Sequence, residues 1–465
     1  MKKADRVDKK IMKRREFLTT TRIIILGFFC GILVGTALLC LPVSWADGVH
    51  TDPIDALFTA TTSICVTGLV TVNTFENWSL FGQVVILFLI QFGGLGIITF
   101  TTTILLVLGR RITLKERMLI QESYNLDTLG GLVRLTKHVL GGTFLVEGIG
   151  ALCYALVFIP EYGLLKGLWN SVFHSVSAFC NAGIDLLGPD SLAPYRDHLW
   201  MNLTTSALIL LGGIGFPVWW DVIRVLRLKR KEKLTLKKTC QKLHLHSKLA
   251  LMLTLLLVAG GMLFTLVLEY QNPETLGLLS FPKKLQAAFF QSVTLRTAGF
   301  FTIPQQNFMD DSTFLFLLLM FIGGSPSGTA GGVKTVTVAV LLLAVLSSVK
   351  GREDVEVYRR TIPDSYVKKA LAVVGIGLMS LGIFVVLFCL VQPGEFLNLL
   401  FELVSAMGTV GLTRGITSAL LPAGKLLIIL AMFFGRVGPI TMALAFNRQN
   451  ARTLRKYPEE KIRVG

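Results

Sequence analysis

The sequence predicts an all-α polytopic membrane protein: four pseudo-repeats of span, pore loop and span, with about eight transmembrane helices around one central pore. Two observations predict this fold class. Of the 465 residues, 52% are hydrophobic and 16% are charged, with a mean hydropathy of +0.64, whereas a soluble chain carries about 25% charged residues. In addition, four copies of a short glycine-containing stretch, the last of them at 401–412, follow one another at intervals of about 115 residues, as in an internal repeat.

Eight apolar runs approach or exceed the roughly 20 residues that a helix needs to cross a bilayer. They lie at about 22–42, 79–108, 138–160, 199–223, 249–270, 313–349, 368–391 and 424–446. The first run follows a basic tail, but it has the length of a span rather than that of a signal peptide, so it is interpreted as the first helix. The chain then divides into a basic cytoplasmic tail at 1–21, repeats at 22–110, 135–227, 247–349 and 366–447, and a cytoplasmic C-terminal tail at 448–465.

The net charge of +17 is distributed as in a multi-pass protein of the plasma (inner) membrane. Lysine and arginine cluster in the N-terminal tail and in every second connection, whereas the segment 42–80 has neither. The positive-inside rule therefore predicts that both termini are cytoplasmic. A nucleic-acid-binding surface is disfavoured, because aromatic residues are not interleaved with the charges.

Each copy of the repeated stretch has a phenylalanine ten positions before a glycine: Phe58 and Gly68, Phe173 and Gly183, Phe289 and Gly299, Phe401 and Gly411. We interpret each copy as a re-entrant loop, in which a half-helix enters from outside, unwinds near the middle of the membrane and returns. In the first copy the helix is predicted to continue to Val66 and to break at 67–69. Unwound backbone at that depth is tolerated only where protein or a watery cavity surrounds it.

Four such loops around one axis would turn backbone carbonyls and the partially negative ends of four half-helices towards a common centre. This is the geometry of a cation filter. The alternative is that the small residues only allow close helix packing, but four copies with the same spacing favour the pore. The filter is predicted to consist of Val66, Thr67, Gly68, Asn181, Ala182, Gly183, Thr297, Ala298, Gly299, Thr409, Val410 and Gly411.

The stretch 323–332 interrupts the sixth apolar run and cannot remain an ordinary helix, because glycine and proline disfavour helix interiors. We expect a flexible loop just inside the filter that obstructs the path to the cytoplasm. A phosphate-binding loop is disfavoured, since the order GxxxxGK[ST] is absent. The predicted gate comprises Gly323, Gly324, Ser325, Pro326, Ser327, Gly328, Thr329, Ala330, Gly331, Gly332, Lys334 and Arg436.

Charged residues within the spans are candidates for function. Arg436 is expected to resist cation passage and to donate hydrogen bonds to carbonyls of the 323–332 loop; the alternative is a structural pair with a carboxylate such as Glu147. Lys334 either faces the same cavity or extends to the membrane surface. Arg296 is expected to brace its loop against Glu402 or against a carbonyl.

Several residues have simpler interpretations. His174 is expected to be packed or hydrogen-bonded within the second pore helix, and Asp221 to lie at the membrane interface beside a basic run. Glycines in the second spans, such as 93–96 and 212–215, are interpreted as sites of close helix packing. The sequence contains no catalytic constellation, which argues against an enzyme. The seven cysteines have no CxxC spacing and indicate neither a zinc site nor a disulfide framework.

The motifs Thr67-Gly68-Leu69, Asn181-Ala182-Gly183, Thr297-Ala298-Gly299 and Thr409-Val410-Gly411 resemble the Trk/Ktr/HKT superfamily of potassium transporters, and the resemblance is greatest to KtrB/KtrD-type membrane subunits. It extends over about 23–457. Pro326 departs from the pattern, since the family's gate is expected to contain only small residues. The single glycine in each loop, compared with the TVGYG sequence of potassium channels, predicts fewer stacked sites and weaker selectivity.

The resemblance implies uptake of K⁺, held at the filter by backbone carbonyls, with Na⁺ as an activator and no organic cofactor in this chain. It also implies a homodimer, embedded in membrane lipid, that rests on a cytoplasmic nucleotide-binding regulatory ring of the KtrA/KtrC type. It assigns 323–332 to an intramembrane gate and Arg436 to the stabilisation of that gate.

The alternative function is symport of the cation with H⁺ or Na⁺ by alternating access. That mechanism favours inverted repeats and carboxylates at the membrane midplane. All four repeats of this sequence are predicted to have one orientation, and no acidic residue recurs at the filter, which favours a channel-like pore.

Overall fold

A computed structural model describes residues 20–96, 132–233, 235–439, 441–442 and 460, and these residues are mostly helical. Most of the predicted N-terminal tail, part of the first repeat at 97–110 and nearly all of the C-terminal tail lie outside the described residues. The described residues include only two short strands, of three residues each, so the architecture is set by how the helices pack.

The first half of the chain forms helices α1 (Thr20–Leu39), α2 (Pro53–Cys65), α3 (Thr74–Asn77), α4 (Leu80–Leu95), α5 (Leu132–Tyr162), α6 (Leu164–Cys180), α7 (Leu199–Ile214), α8 (Phe216–Glu232) and α9 (Leu236–Gln241). The second half forms α10 (Leu245–Leu268), α11 (Phe281–Thr294), α12 (Asp310–Phe321), α13 (Thr335–Val349), α14 (Asp364–Val391), α15 (Phe396–Gly408) and α16 (Pro422–Val437). Short 3₁₀ turns lie at Pro42–Ser44, Ala193–Tyr195, Gln305–Asn307 and Thr417–Ala419.

Four described helices are each long and apolar enough to cross a membrane: α1, α5, α10 and α14. The pair α7 and α8 meets the same criterion jointly, but the two helices are bent by 97°. The apolar run predicted as a span at 199–223 is therefore not one straight helix. The bend occurs at Gly215, whose φ of +94° suits glycine, and Pro217 lies in the first turn of α8, where its missing N–H is harmless.

The other three predicted spans contain shorter helices. The run at 79–108 is described only to residue 96, where α4 has just ended, and α16 is followed by a gap at residue 440. The run at 313–349 is divided into α12 and α13, so the predicted interruption by the glycine-rich segment is confirmed. A parallel bridge between Ile322 and Val333 brings the two ends of that interruption together.

A small antiparallel hairpin follows α13 and was not predicted. Its strands are β1 (Val355–Val357) and β2 (Arg360–Ile362), which pair Val355 with Ile362. The two turn residues, Tyr358 and Arg359, both have positive φ values. The turn residues are not the Asn-Gly or Asp-Gly pair that usually marks such a turn, so the sequence gives no signal for this hairpin.

The helices α2, α6, α11 and α15, called the pore helices below, lie at the centre of the packing. Phe58, Phe173 and Phe401 are completely buried, as befits residues that recur ten positions before each glycine. The third copy differs, because Phe289 is only partly buried and its neighbour Phe290 is completely buried instead. The pore helices are thus enclosed by protein, which meets the condition for unwound backbone at membrane depth.

A buried ion pair joins the first pore helix to the last described helix. Lys425 Nζ lies 2.5 Å from Asp55 Oδ1, and the two side chains are only 13% and 10% exposed. We expect Lys425→Met to destabilise the protein by about 3–5 kcal/mol, because the Asp55 carboxylate would stay buried without its partner. Thermal unfolding in detergent measures this as a lower melting temperature.

Lys283→Met is the matched control for Lys425→Met. Lys283 lies 2.5 Å from Asp197, but these side chains are 47% and 44% exposed. The hydrogen bond from Lys283 lowers the pKa of Asp197, yet an exposed pair contributes only about 0–1 kcal/mol. Equal melting temperatures for the two variants would contradict the assignment of Asp55 and Lys425 as a stabilising buried pair.

Candidate functional site

The four pore helices end with the same backbone signature. At or shortly after each helix end a non-glycine residue is left-handed, and a glycine with positive φ follows two positions later. In the first copy α2 ends at Cys65 and Val66 is already left-handed, so the predicted helix was one residue too long. The residues are Val66 and Gly68, Asn181 and Gly183, Thr297 and Gly299, and Thr409 and Gly411.

The four glycines meet in a closed ring. A Cβ added to Gly68 would lie 2.6 Å from the carbonyl oxygen of Ala182, and one added to Gly183 would lie 2.5 Å from that of Ala298. The same holds for Gly299 with Val410, at 2.9 Å, and for Gly411 with Thr67. Each glycine thus faces the next copy in chain order, and the fourth faces the first. The twelve residues 66–68, 181–183, 297–299 and 409–411 are called the ring below.

Pore-helix hydroxyl groups hold the backbone of the ring. The hydroxyls of Thr62 and Ser405 accept hydrogen bonds from the N–H of the ring glycine in their own copies, at 3.0 and 3.1 Å. Ser177 and Thr294 donate instead to the carbonyl that follows the glycine. The sequence analysis did not identify these residues. Aligning the copies on their glycines would have found three of them, since Thr62, Ser177 and Ser405 all lie six positions earlier.

The surroundings of the ring favour positive charge. The C-terminal ends of all four pore helices lie next to it, and a helix C-terminus carries a partial negative charge. The buried hydroxyl oxygens of Thr67 and Thr409 have no hydrogen-bond partner among the described residues. Backbone carbonyls and orphaned hydroxyl oxygens are ligands that suit a dehydrated monovalent cation.

The segment 323–332, called the glycine-rich loop, packs directly against the ring. Thr329 Oγ1 contacts Asn181 Oδ1 at 2.9 Å, and the N–H of Gly331 donates to Thr297 Oγ1 at 3.2 Å. A Cβ added to Gly331 would also overlap the hydroxyl of Thr409. The loop therefore touches the left-handed residue of three of the four copies.

The glycine-rich loop is also bound to the bend between α7 and α8. The N–H groups of Ser325 and Thr329 donate to the carbonyls of Gly213 and Gly212, at 2.8 and 3.1 Å. Gly215 lies so close to the loop that an added Cβ would be 2.5 Å from the carbonyl oxygen of Pro326. The unexpected proline therefore lies where the loop meets the bent helix.

Like Arg296 at Gly323, Arg436 and Lys334 donate hydrogen bonds to carbonyls of the loop. Arg436 Nη1 donates to the carbonyl of Thr329 at 2.6 Å, and its Nη2 donates to that of Gly93. Lys334 Nζ donates to the carbonyl of Ala330 at 2.6 Å. Glu147 is not the partner of Arg436, because its carboxylate accepts from the amide of Gln91 at 3.3 Å. The alternative interpretation, in which Arg436 forms a structural pair with Glu147, is therefore wrong.

The remaining singled-out residues have clear partners. Arg296 braces carbonyls rather than Glu402, since its guanidinium donates to those of Thr254 and Gly323 at 3.3 and 3.2 Å. His174 is completely buried, with Nδ1 2.7 Å from the carbonyl of Asn170. Asp221 forms an ion pair with Arg224 of the adjacent basic run, at 2.6 Å.

Glycines of the second spans allow those helices to contact the pore helices. A Cβ on Gly93 would overlap the carbonyl of Ile64, and one on Gly212 that of Phe179. The packing interpretation is confirmed for the first two copies. It extends to the fourth, where Gly435 lies against the carbonyl of Met407. The third copy differs, because there the span is interrupted by the glycine-rich loop.

The comparison with protein families decides where this chain belongs. A family model named TrkH and described as "Cation transport protein" matches residues 19–453. The chain belongs to the TrkH family. As a TrkH-family member it is a multi-pass membrane protein and an ion transporter rather than an enzyme. The resemblance inferred from the four glycine motifs is thereby confirmed.

TrkH-family relatives match the chain over nearly its whole length. "Ktr system potassium uptake protein B" of Bacillus subtilis (strain 168) is 41% identical over 458 residues, which cover 98% of this chain and 99% of the relative. "Potassium/sodium uptake protein NtpJ" of Enterococcus hirae is 40% identical over 466 residues, covering 98% of this chain and 100% of the relative. "Ktr system potassium uptake protein D" of B. subtilis is 34% identical, covering 98% of this chain and 99% of the relative.

A solved structure has the same TrkH fold. The crystal structure of the potassium transporter TrkH from Vibrio parahaemolyticus superposes with a TM-score of 0.70 at 18% sequence identity. The match covers 90% of this chain and 84% of that one. The predicted fold class, a mostly helical membrane protein, is confirmed.

Proposed function

We propose that this chain takes up K⁺ by a channel-like mechanism. The observation that carries the proposal is the closed ring of four glycine loops, each facing the carbonyl of the next. The names of the relatives support K⁺ as the cargo, since those from B. subtilis are called potassium uptake proteins. Entry would be driven by the membrane potential, which is worth ~2.3 kcal/mol per charge per 100 mV.

In this proposal the twelve ring residues are the selectivity filter, and their backbone carbonyls replace the hydration shell of K⁺. The hydroxyls of Thr62 and Ser405 keep the first and fourth segments in position. The orphaned hydroxyl oxygens of Thr67 and Thr409 are further polar groups for the cation or its water. The glycines allow the four segments to approach closely enough to share one ion.

The glycine-rich loop is proposed to be the gate, together with Lys334 and Arg436. Its hydrogen bonds with the ring residues Asn181 and Thr297 support this assignment. The guanidinium of Arg436 contacts the loop on one side and α4 on the other. Opening would require the loop to lose its hydrogen bonds with the ring, with Arg436 and with the bend at Gly215.

The assembly is proposed to follow that of Ktr systems. The family resemblance supports a homodimer that binds a cytoplasmic nucleotide-binding ring, with stimulation by Na⁺. The distribution of basic residues supports cytoplasmic N- and C-termini. The word "system" in the names of the two B. subtilis relatives is consistent with a multi-component transporter.

Flux measurements with purified protein in liposomes test the proposed function. We expect K⁺ and Rb⁺ to enter faster than Na⁺, and the current to reverse at the K⁺ equilibrium potential. Accumulation of K⁺ against its own electrochemical gradient, driven by a gradient of H⁺ or Na⁺, would indicate symport instead. Expression in a host deficient in K⁺ uptake, with the regulatory partner supplied, should restore growth at low K⁺. Absence of K⁺ flux in both assays would refute the proposal.

A further inference from the structure

In two of the four pore helices, one equivalent position contacts the segment that follows the ring. It lies nine residues before the ring glycine and is occupied by Thr59, His174, Phe290 and Glu402. All four side chains are buried. The N–H of Leu186, just after the ring, lies 3.4 Å from His174 Nε2. In the second copy the position therefore provides a contact from the pore helix to the chain that leaves the ring.

Glu402 makes this contact most strongly. Its Oε2 accepts a hydrogen bond from the hydroxyl of Thr413 at 2.7 Å, and its Oε1 accepts one from the hydroxyl of Thr417. Both threonines belong to the segment that follows Gly411. The carboxyl group is completely buried. It therefore ties two points of that segment to the fourth pore helix.

The same segment is fixed on another side by Arg414. Its guanidinium donates to the hydroxyl of Thr313 and lies 3.6 Å from the carboxylate of Asp310, both in α12. The consecutive residues Thr413 and Arg414 are thus bound to two different helices, α15 and α12. In the first and third copies the position of Glu402 is taken by Thr59 and Phe290. The Thr59 hydroxyl has no partner among the described residues, and phenylalanine has no polar group to offer.

A buried carboxyl group is costly to maintain, because it loses its hydration and needs hydrogen bonds in return. A neutral or apolar side chain fills the same place in two other copies. Packing alone therefore does not account for a glutamate at this place. Its hydrogen bonds with Thr413 and Thr417 indicate that Glu402 fixes the position of the segment that follows the ring.

We propose that Glu402 is a positioning residue for K⁺/Na⁺ selectivity, acting through Thr413 and Thr417 on the fourth segment of the filter. The proposal rests on the filter function proposed above. Na⁺ is smaller than K⁺, so its carbonyl ligands must move inwards to replace its hydration shell. A segment held at two points resists that movement and so disfavours Na⁺.

The test compares K⁺/Na⁺ permeability ratios in liposomes for variants on both sides of the contact. Glu402→Leu is expected to lower the ratio about ten-fold, the effect of losing a hydrogen bond to a charged group. The double variant Thr413→Val with Thr417→Val should lower it similarly. Glu402→Gln keeps the length of the side chain and can still bond both hydroxyls, so it should restore the ratio to within about three-fold of the wild type.

Two further variants make the test specific. The triple variant of Glu402→Leu with both valines should be no worse than Glu402→Leu alone, since residues that act as one unit are not additive. Glu395→Gln is the matched control, because Glu395 is an exposed acid at the start of the same helix. Among the described residues its side chain bonds only Asn398, at 3.0 Å. Its permeability ratio should equal that of the wild type.

The outcomes separate this inference from the proposed function. A wild-type protein that does not prefer K⁺ would refute the filter itself. A K⁺-selective wild type with unchanged ratios in Glu402→Leu and in the threonine double variant would overturn only the role of Glu402. A change in Glu402→Leu without one in the threonine variant would also overturn it, because Glu402 would then act by charge. If Glu402→Leu does not fold, the threonine variant alone decides.

Discussion

Gly299→Ser is expected to lower the K⁺/Na⁺ permeability ratio by at least about ten-fold, which corresponds to ~1.4 kcal/mol of lost discrimination. Gly299 has a φ of +80°, and an added Cβ would lie 2.9 Å from both the Cα of Gly183 and the carbonyl oxygen of Val410. The backbone of neighbouring segments must move to admit the side chain, and the carbonyls that hold K⁺ move with it. Reversal potentials in mixed K⁺ and Na⁺ gradients measure the ratio.

Gly411→Ser should have the larger effect, because its Cβ would overlap the carbonyl oxygen of Thr67. Gly382→Ser is the control: this exposed glycine of α14 has no atom within 4 Å of its added Cβ. A folded protein with an unchanged permeability ratio in both Gly299→Ser and Gly411→Ser would contradict the assignment of the ring as the filter.

Deletion of 325–330 is expected to raise the basal cation flux by about ten-fold or more, the change that follows from removing a barrier of ~1.4 kcal/mol. The flanking residues are already adjacent, since the N–H of Gly323 donates to the carbonyl of Val333 at 3.0 Å, so Gly324 and Gly331 can be joined with little strain. The deletion removes Thr329, which contacts both Asn181 and Arg436. Flux of Rb⁺ into liposomes without any partner protein measures the change.

Arg436→Gln should act in the same direction, because it removes the guanidinium that joins the loop to α4. Lys369→Gln, which changes an exposed cation near the start of α14, should leave the flux unchanged. Lower flux in a folded deletion variant would mean that the loop supports the pore rather than obstructs it.

The repeated architecture could be predicted because one physical requirement recurs. Four helices that must end at membrane depth need a glycine shortly after their ends, and each of these glycines lies ten positions after a phenylalanine, which leaves a regular pattern in the sequence. Charge and hydropathy then locate most of the spans. The family and the fold class follow from these features without knowledge of any contact.

Other features depend on contacts that sequence patterns do not specify. Apolar residues continue through Gly215 and Phe216, so hydropathy alone reads the bent pair α7 and α8 as one span. The sequence left two partners open for Arg296, Glu402 or a carbonyl, because both Arg296 and Glu402 are charged and lie near a ring glycine. In the structure Arg296 donates to carbonyls, and Glu402 accepts hydrogen bonds from threonine hydroxyls. Pairings between distant segments require the packed helices.

The contact between the loop and α8 has an energetic consequence. The first N–H of a helix has no acceptor within its own helix, and that of Phe216 is satisfied by the carbonyl of Ser327 at 3.1 Å. The loop therefore acts as a helix cap supplied from another part of the chain. Withdrawal of the loop uncaps α8 at a cost of about 1 kcal/mol. Because such coupling is reciprocal, anything that reorients α8 changes the free energy of moving the loop by the same amount.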